Sequence, residues 1–200
     1  MNGSGGLQIN GAQDSHYALT TAPSGSGYGP NTFVADHTKY PLVSGPWVPN
    51  TTSAQWIGPV SDRTTIPGST GSGDSAYETT FDLTGLDAST ARITGKWSTD
   101  NPGEIWLNGV STGIATIGEF AYQSMQSFSI TTGFQAGTNT LEFKVNNKPI
   151  DSNNPTGLIV EMTGTAAVPE PASVSLGLIS IVGCLAGRRW MRRSRKAKAA

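Results

Sequence analysis

The sequence predicts an all-β protein, a β-sandwich, followed by a single C-terminal transmembrane helix. Three observations carry this expectation. Residues 14–165 hold short runs in which apolar and polar side chains alternate, the period of half-buried strands. Clusters of Gly, Asn, Asp and Pro separate those runs, and no apolar period of a helix lasts longer than a turn or two. Residues 168–200 then change character: an uncharged apolar run leads into a dense basic cluster.

Residues 1–13 are rich in Gly, Asn, Ser and Gln and are expected to be disordered; residues 14–165 have the length of one domain. In the first half, short strands are expected at 17–20, 32–35 and 55–57, between Pro/Gly loops such as residues 41–47. The second half reads more clearly. Tyr77, Phe81 and Leu83 share a face, as do Ile93 and Trp97. Ile105 and Leu107 alternate with polar neighbours, and Phe128 and Ile130 mark a further strand. Leu141, Phe143 and Val145 point one way while Glu142 and Lys144 point the other; Leu158, Val160 and Met162 form the expected inner set of the last strand. Turns are expected at 85–87, 100–103, 108–109, 137–139 and 153–155. Trp56 and Trp97 read as core; Trp47, in a loop between Pro46 and Val48, is left open.

Three segments in order carry a resemblance: Ile105-Trp106-Leu107-Asn108-Gly109, then Phe134-Gln135-Ala136-Gly137-Thr138-Asn139-Thr140-Leu141, then Gly157-Leu158-Ile159-Val160-Glu161. Residues 76–165 thereby resemble the galactose-binding-domain-like jelly roll, which includes sugar-binding domains attached to glycosidases. The resemblance implies a jelly-roll sandwich; it leaves the ligand open, because that fold hosts many functions.

At the C-terminus, Val168-Pro169-Glu170-Pro171 precedes the apolar residues 172–187, and Arg188, Arg189, Arg192, Arg193, Arg195, Lys196 and Lys198 follow. Sixteen residues at ~1.5 Å rise span about 24 Å, against roughly 30 Å of hydrocarbon, a deficit that snorkelling arginines and an interfacial Trp190 accommodate. The basic cluster predicts that this end stays in the cytoplasm. The order of motif, helix and Arg-rich end resembles the PEP-CTERM sorting signal of Gram-negative bacteria. It implies recognition by an exosortase, cleavage near residues 169–171, with Glu170 as a sorting residue and not a catalytic one, and passage from the inner membrane to the cell surface or extracellular matrix. The two prolines keep the segment extended, as a protease-like site requires. The opening MNGSGGLQIN has neither the basic nor the apolar region of an export signal, so an upstream piece is expected. Cys184, the single cysteine, lies in the apolar run and reads as a small apolar residue, with lipidation as the alternative.

Charge is divided between body and tail. Residues 1–167 carry 13 acids and 6 bases, a body of about −7, whereas the tail sets seven bases against Glu170. An acidic body argues against a nucleic-acid partner. Catalysis finds little support: His16 and His37 lie apart in loop-rich sequence, and no nucleophile elbow occurs. Asp100 and Glu104 are the nearest carboxylate pair for glycoside hydrolysis, but they flank a Pro-Gly turn and read as solvated. No catalytic residue is assigned.

Carbohydrate is the positive expectation. With Ile105 and Leu107 inward, Trp106 faces outward with Glu104 and Asn108, and an indole flanked by a carboxylate and an amide suits a sugar. The competing reading packs Trp106 under a loop or against the second sheet. No cofactor is required, but calcium is weighed at Asp100, Asn101 and Asp151, with Asn153 and Asn154, since such loops supply oxygen ligands that Asx-turns also explain. The sequence thus predicts an exported, non-catalytic surface protein with exosortase, the membrane and an exopolysaccharide as partners. A structural surface protein without ligand and an accessory domain of a secreted glycosidase are the alternatives.

Overall fold

The computed structural model describes residues 6–24, 26–60, 73–148 and 154–170. These hold ten strands: β1 Gln13–Thr21, β2 Asn31–Val34, β3 Ile57–Gly58, β4 Gly73–Asp82, β5 Asp87–Asp100, β6 Gly103–Leu107, β7 Val110–Ala115, β8 Gln126–Ile130, β9 Thr138–Asn147 and β10 Gly157–Ala167. All pair antiparallel, in the order β7-β6-β9-β4-β1-β2-β3-β10-β5-β8. The ladder folds back on itself through the short β2 and β3. Trp97 of β5 lies 5.7 Å from Phe143 of β9, and Phe128 of β8 lies 6.4 Å from the same ring, although neither strand neighbours β9 in the ladder. Two faces of one continuous sheet therefore stack as a β-sandwich.

The expected inward sets build the main core. Ile93, Trp97, Ile105, Leu107, Phe128, Ile130, Leu141, Phe143 and Val145 are all buried, and Tyr77 and Leu158 join them. A second cluster lies on the opposite side of β10, where Ile159 packs with Trp47, Ala54 and Trp56. Trp47 stacks on Trp56 at 4.0 Å, settling the position that the sequence left open. Gly157 permits this approach, since a Cβ there would sit 2.9 Å from Trp47 Cη2.

Several expectations change. The last strand is not a simple alternation: Ile159 is fully buried beside Leu158, and Met162 is 38% exposed. Covers on both sides of the start of β10 explain the first, and their absence further along explains the second. β7 is an additional edge strand; its six residues hold no fully buried side chain, so little alternation marks it. Residues 6–12 are tied to the body and not loose, through Gly11 N–H donating to Val34 O and Val34 N–H to Ala12 O. One compact unit ends at Ala167 and a second begins at Val168. Val168, Pro169 and Glu170 are exposed. Pro171, the apolar run and the basic cluster lie outside the described residues, among which no helix is long and apolar enough to cross a membrane.

Candidate functional site

The site is built on β6 and β9. β9 buries one face completely and β6 buries Ile105 and Leu107, which forces the intervening residues outward. Ile105 and Leu107 of β6 are buried, so Glu104 and Trp106 project to the other side. Opposite them on β9, Glu142 and Lys144 alternate with buried Leu141, Phe143 and Val145. The register sets Glu104 against Lys144 and Trp106 against Glu142.

Trp106 is half-buried and held from two directions. Its indole N–H donates to Glu104 Oε2 at 2.9 Å, and Lys144 Nζ stands 3.5 Å from the ring centroid. Glu104 also accepts from the Ser111 hydroxyl of β7. That hydroxyl first, then the indole N–H and the nearby ammonium, hold its carboxyl below the usual carboxylate range, so it stays ionised at neutral pH. Beside this group lies a cleft of about 450 Å³ lined by Asp74, Glu104, Thr116, Lys144 and Asn146. Asn146 Nδ2 donates to Asp74 Oδ1 across it at 2.7 Å. Lys144 and its partner carboxylate were not among the residues singled out from sequence for binding; strict alternation on β9, paired with β6, was the signal that places them beside Trp106.

Asn108 does not join this face. With φ at 53° it forms the β6–β7 turn with Gly109. Its Nδ2 donates to Gly133 O and Asn139 Oδ1, and its Oδ1 accepts from Thr140 N. The amide expected to take sugar hydroxyls is instead committed to pinning the turn.

Asp100 departs furthest from expectation. The loop carrying Trp47 closes over it, leaving it 4% exposed, and Trp47 Nε1 donates to its Oδ2 at 2.8 Å. A solvated turn carboxylate is thus replaced by a buried one whose pKa burial pushes up to about 7 despite the indole donor. It is not paired with Glu104, whose carboxylate instead accepts from the Trp106 indole and the Ser111 hydroxyl. Asn101 gives its Nδ2 to Glu119 O and receives Lys148 N–H at Oδ1. Of the oxygens weighed for calcium, Asp100 Oδ2 and Asn101 Oδ1 each accept from an N–H donor, while Asn154 donates its Nδ2 to Lys148 O. Asp151 and Asn153 lie outside the described residues. No three His, Cys, Asp or Glu side chains converge among the described residues.

A larger depression of about 700 Å³ runs beside β1 and β10, past Asp14, His16, Lys96 and Glu161. Its acids are engaged locally. Asp14 Oδ1 accepts the His16 and Tyr17 backbone N–H groups, and Glu161 Oε1 accepts the Ser53 hydroxyl at 2.5 Å and that of Thr51. Tyr17 is the aromatic side chain along it. The smaller cleft has no aromatic lining of its own, but two of its lining residues, Glu104 and Lys144, hold the outward Trp106 indole, which makes the Trp106 face with its adjoining cleft the better candidate for a ring-shaped ligand. His37 lies elsewhere, with Nδ1 2.6 Å from Asn10 Oδ1.

No family model and no curated protein matches the chain. Among solved structures it is similar to the CBM35 from Paenibacillus barcinonensis, with 12% identity over 76% of this chain and 96% of that one and a TM-score of 0.37. It is also similar to a family 35 carbohydrate binding module from an environmental isolate, with 8% identity over 50% of this chain and 73% of that one and a TM-score of 0.29.

Proposed function

We propose that the chain is an exported, non-catalytic surface protein whose body, a galactose-binding-like jelly roll, binds exopolysaccharide through the outward face of β6 and β9. The observation that carries the binding half is Trp106, an indole on the outer side of a strand whose neighbours are wholly buried, flanked by an ionised carboxylate and an ammonium. An indole covers the apolar face of a pyranose, while Glu104 accepts and Lys144 donates hydrogen bonds to hydroxyls. The ammonium over the ring must swing aside for stacking. Such a contact at an exposed site contributes only about 0.5–1 kcal/mol, and Glu142 Oε2, 3.9 Å away, is positioned to keep hold of it.

The sorting half rests on the tail sequence: the Val-Pro-Glu-Pro motif, the uncharged run and seven bases, in order. In this reading exosortase and the inner membrane are the partners during export, and the product resides at the surface or in the matrix. In the producing organism, Glu170→Gln is expected to leave unprocessed protein in the inner membrane, as a blot of fractionated cells would show.

Affinity electrophoresis of the full chain in non-ionic detergent, through gels containing the producing organism's exopolysaccharide, tests binding. Retardation is expected for the parent and not for Trp106→Ala, and it is expected to be the same with and without calcium. Equal mobility of parent and variant in polymer-containing gels would contradict the site.

A further inference from the structure

The outward side of the strands around Trp106 is acidic. Glu78 and Asp74 of β4, Glu142 of β9 and Glu104 of β6 alternate with residues that face the core, and Lys144 is the one base among them. Glu78 stands directly opposite Glu142 in the register, a like-charge pair that works against sheet stability. The same rows lead from Trp106 past Lys144 to Asp74 and Asn146 in the 450 Å³ cleft. With strands ~4.8 Å apart and ~3.4 Å per residue, Asp74 lies roughly 16 Å from Trp106 along the sheet, further than one sugar ring reaches.

We infer that the cleft is a second subsite of the Trp106 face, and that the two together take a run of two or more sugar residues free of carboxylate and sulfate groups. The inference rests on the carbohydrate reading and adds length and charge class to it. Four carboxylates against one ammonium repel an anionic polymer before contact and accept hydroxyl protons once a neutral one is bound. Asp74, exposed and bonded to Asn146, supplies the acceptor furthest from the ring.

The test runs the full chain in detergent through gels containing galactomannan or hydroxyethylcellulose, both neutral, or alginate, a uronate polymer. A neutral polymer is expected to retard the parent, with an apparent affinity at least tenfold above that for alginate. Trp106→Ala abolishes this retardation, and Asp74→Ala weakens it several-fold. The double variant Glu78→Gln, Glu142→Gln narrows the preference against alginate. If Trp106→Ala abolishes binding but Asp74→Ala leaves it unchanged, the second subsite is overturned while the carbohydrate reading stands. Alginate binding as tight as neutral binding overturns the charge class alone. Retardation by no polymer overturns both the inference and the reading beneath it.

Discussion

Burial pushes the Asp100 carboxyl up to about 7, against about 3.9 in an unfolded chain. The native state therefore holds this proton more tightly than the unfolded state. The associated stability is complete below pH ~4 and is lost as pH rises through ~7. Asp100→Asn keeps an acceptor for the Trp47 indole and removes the ionisation. Its urea midpoint is expected to vary less than the parent's between pH 5 and pH 8, and to exceed it at pH 8. Glu104 and Glu161 act in the opposite sense at lower pH, because hydroxyl donors hold both below the usual carboxylate range. A parent midpoint that stays flat from pH 5 to pH 8 would mean that Asp100 is not buried under Trp47. Sequence could not announce this burial, since the indole that covers Asp100 comes from 53 residues away. Trp106 was legible for the opposite reason: its position depends only on the two core residues beside it.

Strands with one face on the core and one facing out could be read directly. β6 and β9 show clean alternation and so deliver Glu104, Trp106 and Lys144 to one surface. β10 could not be read this way, because its start is covered on both sides and its later part loses its cover. The close pairing of β5 with β10 depends on Gly95, where a Cβ would lie 2.1 Å from Glu161 O and 2.8 Å from Phe128 Cε1. Gly95→Ala must push β10 or the Phe128 ring away, and a loss of about 1–3 kcal/mol is expected in denaturant unfolding. A variant as stable as the parent would show that these strands separate more easily than their register implies. Asn108 illustrates the limit at turns: an Asn-Gly pair signals a tight turn, and holding that turn takes both N–H donors of the amide and one acceptor site of its oxygen.

At the scale of the whole molecule, a sandwich core and an acidic sheet face were both foreshadowed by alternation and composition, whereas the second tryptophan cluster arises from loop closure over β10. Phe143 sits at the centre of the main core, in contact with Tyr17, Trp97 and Phe128. Phe143→Ala is expected to cost about 3–5 kcal/mol in unfolding, enough to unfold a marginally stable domain. The function proposed for this architecture comes down to one indole. The chain has five tryptophans, so ¹⁵N-indole labelling of the full protein gives a short list of side-chain resonances, of which Trp106→Phe identifies the relevant one. Titration with a neutral oligosaccharide is predicted to shift the Trp106 indole resonance as its N–H and ring environment change, leaving the Trp56 and Trp97 resonances in place. A titration in which the Trp106 resonance does not move, or in which only another tryptophan responds, would contradict the account.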